Sequence, residues 1–311
     1  MSERVFFYCD ESGAKGYADQ KEAFPGEIGV FAGILVPEQL HADLSEKFDT
    51  IALQFKPAEG KLHIADLPDE QKGALRQALF DEIQAAGLPC FWYAIHVAGL
   101  NDYYTQQNEL LRTSRAAVEA QRISPARVKT GSVREELPSM HVQLFAGLHA
   151  HIVAFLLERG LTNVDLEIRT DQVDSPLNKK FEEVATELLE TDPQVIQTTG
   201  YDTLEKKVVH GQMTISVQYP AEMEIPPVIR SLSIKPIDDS DGLVLAADVL
   251  ANSLHHHFKN RTEEELYSPL NEPEAVARHP LFEHLDAFYN WGTGDFIGDS
   301  LYRHPKAPLV D

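Results

Sequence analysis

Short apolar runs and amphipathic stretches alternate along the first hundred residues. Residues 4–10, "RVFFYCD", and 28–36, "IGVFAGILV", are continuous apolar runs of strand length, and they predict two buried strands. Pro37 stops the second, and Gly13, Gly16, Pro25 and Gly26 between them suit a hairpin-like loop. Residues 38–55 carry Leu44, Phe48, Ile51 and Phe55 at helical spacing, and 69–86 read as a second amphipathic helix. Residues 90–98, "CFWYAIHVA", predict a third strand, rich in aromatic residues. Helices follow at about 103–122 and 139–159. The latter is apolar on most faces ("VQLFAGLHAHIVAFLLE"), as a core helix is.

Residues 163–171, "NVDLEIRTD", alternate as a strand, with Val164, Leu166 and Ile168 against Asp165, Glu167 and Arg169. A helix over 176–190, strands over 207–219 and 229–235, and a helix over 242–258 with Asp241 as N-cap complete the core order. This order predicts an α/β protein with a mixed sheet and helices rather than a pure βαβ repeat. Residues 259–311 are rich in Pro and aromatics and read as an extension packed on the domain. The domain then covers 1–258, with helical insertions at about 38–88 and 100–160.

The chain has 311 residues, 43% hydrophobic and 24% charged, an ordinary balance for a soluble globular protein with a sizeable core. No apolar run reaches the roughly 20 residues of a membrane helix, and the N-terminus carries no secretory h-region. Cys9 and Cys90 both lie in strand-like runs, which predicts two buried free thiols and a cytoplasmic setting. The net charge of −22 excludes a broad nucleic-acid-binding face. Any nucleic-acid contact must be a local basic patch or be supplied by a protein partner or a second copy. The segment with Arg112, Arg115, Arg122, Arg127, Lys129 and Arg134 is such a patch, holding only one acid, Glu119, between 112 and 134. Arg112, Arg115 and Arg122 share a helical face and are the candidate phosphate contacts; an ion-pair ladder with Glu119 is the structural alternative.

The candidate chemistry lies in carboxylates that break the apolar pattern. Asp10 and Glu11 end the first strand, where a buried charge is costly unless paired or bound to metal. Asp171 ends a later strand. Asp248 lies inside "LVLAADVLAN", a helix interior that disfavours Asp. Read singly, each has a bland reading: a polar turn, or an acid paired to an arginine. Converging, they would hold one or two hard divalent cations, Mg²⁺ or Mn²⁺, which prefer oxygen ligands and in pairs support phosphodiester cleavage.

"YCDESG" near the N-terminus and "DDSDGLVLAADVLAN" near the C-terminus resemble an uncharacterised bacterial family, a domain of unknown function, over about residues 4–258. That family begins with a strand plus Asp-Glu-Ser-Gly, ends with a helix carrying Ala-Asp, and has a fold similar to ribonuclease H. The resemblance implies a metal-dependent nuclease-like site with Asp10, Asp171 and Asp248 as ligands and Glu11 as a further ligand or a base behind them. No residue matches the fourth acid of such a site. "EGKLHIADL", with Glu59, Lys61, His63 and Asp66, fills its place in the order. Lys61 can face the scissile phosphate and His63 can serve as general acid or base, with a plain polar loop as the alternative. His255, His256 and His257 read as a helix end suited to the dipole, and His141, His149 and His151 as packing or surface residues. The rival function is a non-catalytic ribonuclease-H-like scaffold in a bacterial defence or toxin-like complex.

Overall fold

A computed structural model describes residues 3–16, 22–57, 62–120, 127–130, 138–171, 175–189, 194–216, 227–237, 241–262, 265–286, 301 and 303–307. The chain folds as α/β. Strands β1 (Arg4–Gly13), β2 (Ile28–Pro37), β3 (Cys90–His96), β5 (Val164–Thr170), β8 (Ile229–Pro236) and β9 (Leu285–Asp286) form one mixed sheet in the order β8-β5-β1-β2-β3-β9. Strands β1, β2 and β3 are an antiparallel meander. Strands β5 and β8 continue the sheet parallel to β1. One end of the sheet therefore gathers the C-terminal ends of β1, β3, β5 and β8.

Helices cover both faces, because β1, β2 and β3 are buried almost throughout. On one face lie α1 (Glu38–Phe55) and α6 (Gly242–Lys259), reached by Tyr8 against His41 and Trp92 against Phe258. On the other lie α4 (Met140–Glu158) and α5 (Ser175–Leu189), reached by Phe31 against Phe145 and Phe181. Helix α2 (Asp69–Ala86) packs on α1. Helix α4 is long and apolar enough to cross a membrane by length and composition, but 67% of its apolar window is buried inside the fold, as in a core helix.

Three features depart from the sequence reading. The third strand stops at His96 and runs straight into α3 (Val97–Ala120), which begins six residues earlier than the spacing predicts. A second sheet, in the order β4-β6-β7, forms from β4 (Val128–Thr130), β6 (Gln194–Asp202) and β7 (Lys207–Ile215). Of these only β7 carries a recognisable strand pattern. Lastly, the C-terminal part contributes β9 to the edge of the main sheet beside β3. Its Leu270, Val276, Leu281 and Leu285 are buried with the core.

Candidate active site

The apolar run of β1 does not end at its acids. The strand continues through Glu11 and Ser12 to Gly13, paired residue by residue with Phe31, Val30 and Gly29 of β2. The pleat sends successive side chains to opposite faces. Phe6, Tyr8 and Asp10 point to the α1–α6 layer, and Phe7, Cys9 and Glu11 to the α4–α5 layer. The acidic pair is thus divided between two layers at the sheet's end. Gly13 has φ +87°, and a Cβ there would come within 2.5 Å of the Ile28 carbonyl oxygen and 2.8 Å of the His255 ring. Only glycine fits this turning point. The turn carries Lys15 back to Glu11, Nζ to Oε1 2.6 Å.

Helix α6 brings the second acid. Asp241 caps it, accepting from the Leu243 and Val244 amides, and Asp49 accepts from the Gly242 amide. Asp241, Asp248 and His255 recur every seven residues and form a polar stripe along the face over β1. The stripe meets β1 in turn: Asp241 acts on Tyr8, Asp248 on Asp10, and His255 packs on Gly13.

The third acid arrives by register. Cys9 of β1 pairs with Thr170 of β5, where the ladder ends, so Asp171 leaves β5 at the same end of the sheet as Asp10. Asp171 is near enough to act on Lys15. Asp248 is within range of Glu11, Lys15 and His63 and of the Ile64 backbone. Among the described residues no ion pair joins it to an arginine. Asp10, Glu11, Asp248 and His63 are linked by mutual electrostatic influence, and Asp171 is linked to them through Lys15. Lys61 and Glu59 lie outside the described residues. Arg112 is exposed on α3, Arg115 lies in the same helix, and Arg122 lies outside the described residues.

The electrostatics are asymmetric. Burial, with Glu11 and Asp248 close by, pushes the Asp10 carboxyl well above the usual carboxylate range. Asp248 is raised as well, first by burial, with His63 and the Ile64 amide opposing. Glu11 goes the other way. Burial pushes it up, but His141 and Lys15 outweigh that and hold it near 2. His141 Nε2 stands 3.3 Å from Glu11 Oε2, at ion-pair distance but without hydrogen-bond geometry, so both buried atoms lack a hydrogen-bond partner. The site therefore joins a fixed anion, Glu11, to two acids that resist ionising together.

His141 and Lys15 are site residues that the sequence reading did not assign. His141 reads there as a packing or surface residue, because a histidine on an apolar helix looks the same whether or not it faces a carboxylate. Lys15 is hidden because only the reversal at Gly13 returns it to Glu11. The three C-terminal histidines diverge: His255 toward Gly13, His256 toward Asn260 and His257 to the Ala275 carbonyl.

The donors fit a hard divalent cation in kind, being carboxylates with a buried, unpartnered oxygen at Glu11. Among the described residues, no three His, Cys, Asp or Glu side chains are drawn together as a ready metal cage. No protein-family model, curated protein or solved structure matches the chain.

Proposed function

We propose that this protein is a divalent-metal-dependent nuclease-like phosphodiester hydrolase built on a ribonuclease-H-like fold. The observation that supports the reading is that Asp10, at the end of β1, and Asp248, on the helix above it, act on one another and are both raised, with Asp171 at the end of the neighbouring parallel strand. Acids perturbed by burial together with a specific charged neighbour are candidates for a functional site. The antiparallel meander followed by two parallel strands supports the fold assignment, as does the Asp-Glu-Ser-Gly segment that ends the first strand.

In this reading Asp10, Asp171 and Asp248 hold Mg²⁺ or Mn²⁺, which supplies an activated water and charge stabilisation at the leaving oxygen. Glu11, kept ionised by Lys15 and His141, adds negative charge behind Asp10. His63, exposed beside Asp248, is the general acid or base, free to exchange protons with solvent and substrate. Lys61 and the arginines of α3 meet phosphates. The substrate is RNA or DNA, and the buried free thiols Cys9 and Cys90 support a cytoplasmic setting.

The rival reading, a non-catalytic scaffold, is favoured by the −22 charge and by the apolar residues exposed on the β6–β7 hairpin, among them Tyr201, Val208 and Met213. Incubating pure protein with labelled single- and double-stranded RNA and DNA, in Mn²⁺, Mg²⁺ or chelator, separates the two. Metal-dependent cleavage that Asp10→Asn abolishes supports the enzyme. Intact substrates under every condition support the scaffold.

A further inference from the structure

The small sheet is a built arm. Strands β4, β6 and β7 pack chiefly on one another. Every residue of β7 but Val209 is exposed, and Val195, Gln197, Thr199 and Tyr201 of β6 are exposed beside it. The hairpin is nonetheless firmly specified. Arg127 pairs with Asp202 at 2.8 Å and with Glu205 at 2.7 Å, and the Asp202 carboxylate accepts from the Leu204 and Glu205 amides, which fixes the turn. The charges of the hairpin gather at that turn. From Val208 to Ile215 the strand has no acid, lysine or arginine, in a chain whose net charge is −22.

An unpaired strand edge is a template for another strand, and proteins blunt such edges with charge, proline or shortness. Among the described residues the other three sheet edges are blunted in these ways. Strand β8 carries Arg230, Lys235 and Pro236, β9 has two residues and β4 three. Strand β7 is nine residues long, its backbone pairs only with β6 among the described residues, and it has no guard after Lys207. Its sequence also matches itself. Antiparallel pairing of two β7 strands about Gly211, the central residue, sets Met213 opposite Val209 and Gln212 opposite His210 of the other copy. Lys207 then falls opposite Ile215, so no like charges meet.

We propose that the edge of β7 is a dimerisation surface whose occupant is β7 of a second copy of this chain, paired antiparallel across a two-fold axis at Gly211. The two small sheets become one continuous sheet in the order β4-β6-β7-β7-β6-β4. A two-fold interface uses the same patch on both copies, and this register does so. An acidic chain meets its own copy with least repulsion where its surface is uncharged, and β7 offers such a surface. The pairing forms about eight inter-strand hydrogen bonds and lays the exposed Met213 against Val209 of the other copy. The inference is independent of the metal-site reading.

Sedimentation velocity of the full chain, from micromolar to hundreds of micromolar concentration, tests it. The wild type should reach twice the mass of one chain. Val209→Lys combined with Met213→Lys sets lysine opposite lysine and should weaken association by at least about tenfold. Val209→Lys combined with Met213→Glu sets lysine opposite glutamate and should restore the dimer. Circular dichroism melts check that each variant folds. Gly211→Cys reads the register without adding charge: paired Cα atoms of an antiparallel ladder lie about 4.5–5.5 Å apart, so mild oxidation should link two chains by a disulfide. A wild type that stays monomeric at every concentration overturns the proposal, as does a dimer that survives the two lysines. A dimeric protein that Gly211→Cys fails to cross-link overturns it too.

Discussion

Replacing Asp248 by Asn separates a ligand from a structural acid at one position. The change keeps the shape of the side chain. It removes a charge that burial and Glu11 disfavour and that His63 and Lys15 only partly offset. A carboxyl raised above its unfolded value lowers stability once the pH exceeds that unfolded value, so at pH 7 the aspartate is a burden on the metal-free fold. Its removal should leave stability unchanged or raise it by up to about 1 kcal/mol, a melting shift of zero to about +2 °C for a chain of this size. A structural acid paired to a cation behaves oppositely, because the stranded partner costs about 3–5 kcal/mol and the midpoint falls by roughly 6–10 °C. Calorimetry in chelator at pH 7 reads the difference. Cleavage run in parallel should fall by at least about 10²-fold, since even residues that merely support metal ligands cost up to that. A clear drop in the chelated midpoint would refute the ligand assignment.

Three further outcomes follow from the same geometry. Glu11→Gln should destabilise the chelated protein by about 3 kcal/mol at pH 7; with the folded value near 2, the loss is full above about pH 4.5 and fades as pH falls toward 2, which urea melts across that range check. Gly13→Ala should cost roughly 2–4 kcal/mol by thermal melting, since it forces a left-handed φ and a Cβ onto the Ile28 carbonyl. Replacing Arg112, Arg115 and Arg122 by Ala should weaken nucleic-acid binding and flatten its salt dependence, measured by fluorescence anisotropy; an unchanged slope leaves them as surface charge.

The elements legible in the sequence are those whose burial is one-sided or complete. Helix α2 occupies 69–86 as its spacing predicts, and β2 and α6 lie within a residue of expectation. Strand β6, "QVIQTTGYD", escapes because its hairpin projects from the core: Val195 and Tyr201 are exposed, so no buried face imposes alternation. The start of α3 escapes because His96 and Val97 are both buried, and an apolar run does not say where a strand yields to a helix. Asp10 and Asp248 stand out because each breaks an apolar pattern at a cost the fold must offset. Asp171 is visible only as a strand end; that it leaves the sheet at the same end as Asp10 follows from the parallel register of β1 and β5. His141 and Lys15 break no pattern, and their roles exist only in three dimensions.

The central claim, that Asp10, Asp171 and Asp248 form one cation site, is tested most directly by anomalous scattering from crystals soaked in Mn²⁺. The account predicts a peak bonded at about 2.2 Å to carboxylate oxygens of Asp10 and Asp248, with Asp171 on the same ion or its neighbour, and no such peak in Asp10→Asn crystals. A Mn²⁺ peak bound instead at His255, His256 or His257, or crystals that take up no Mn²⁺, would contradict it.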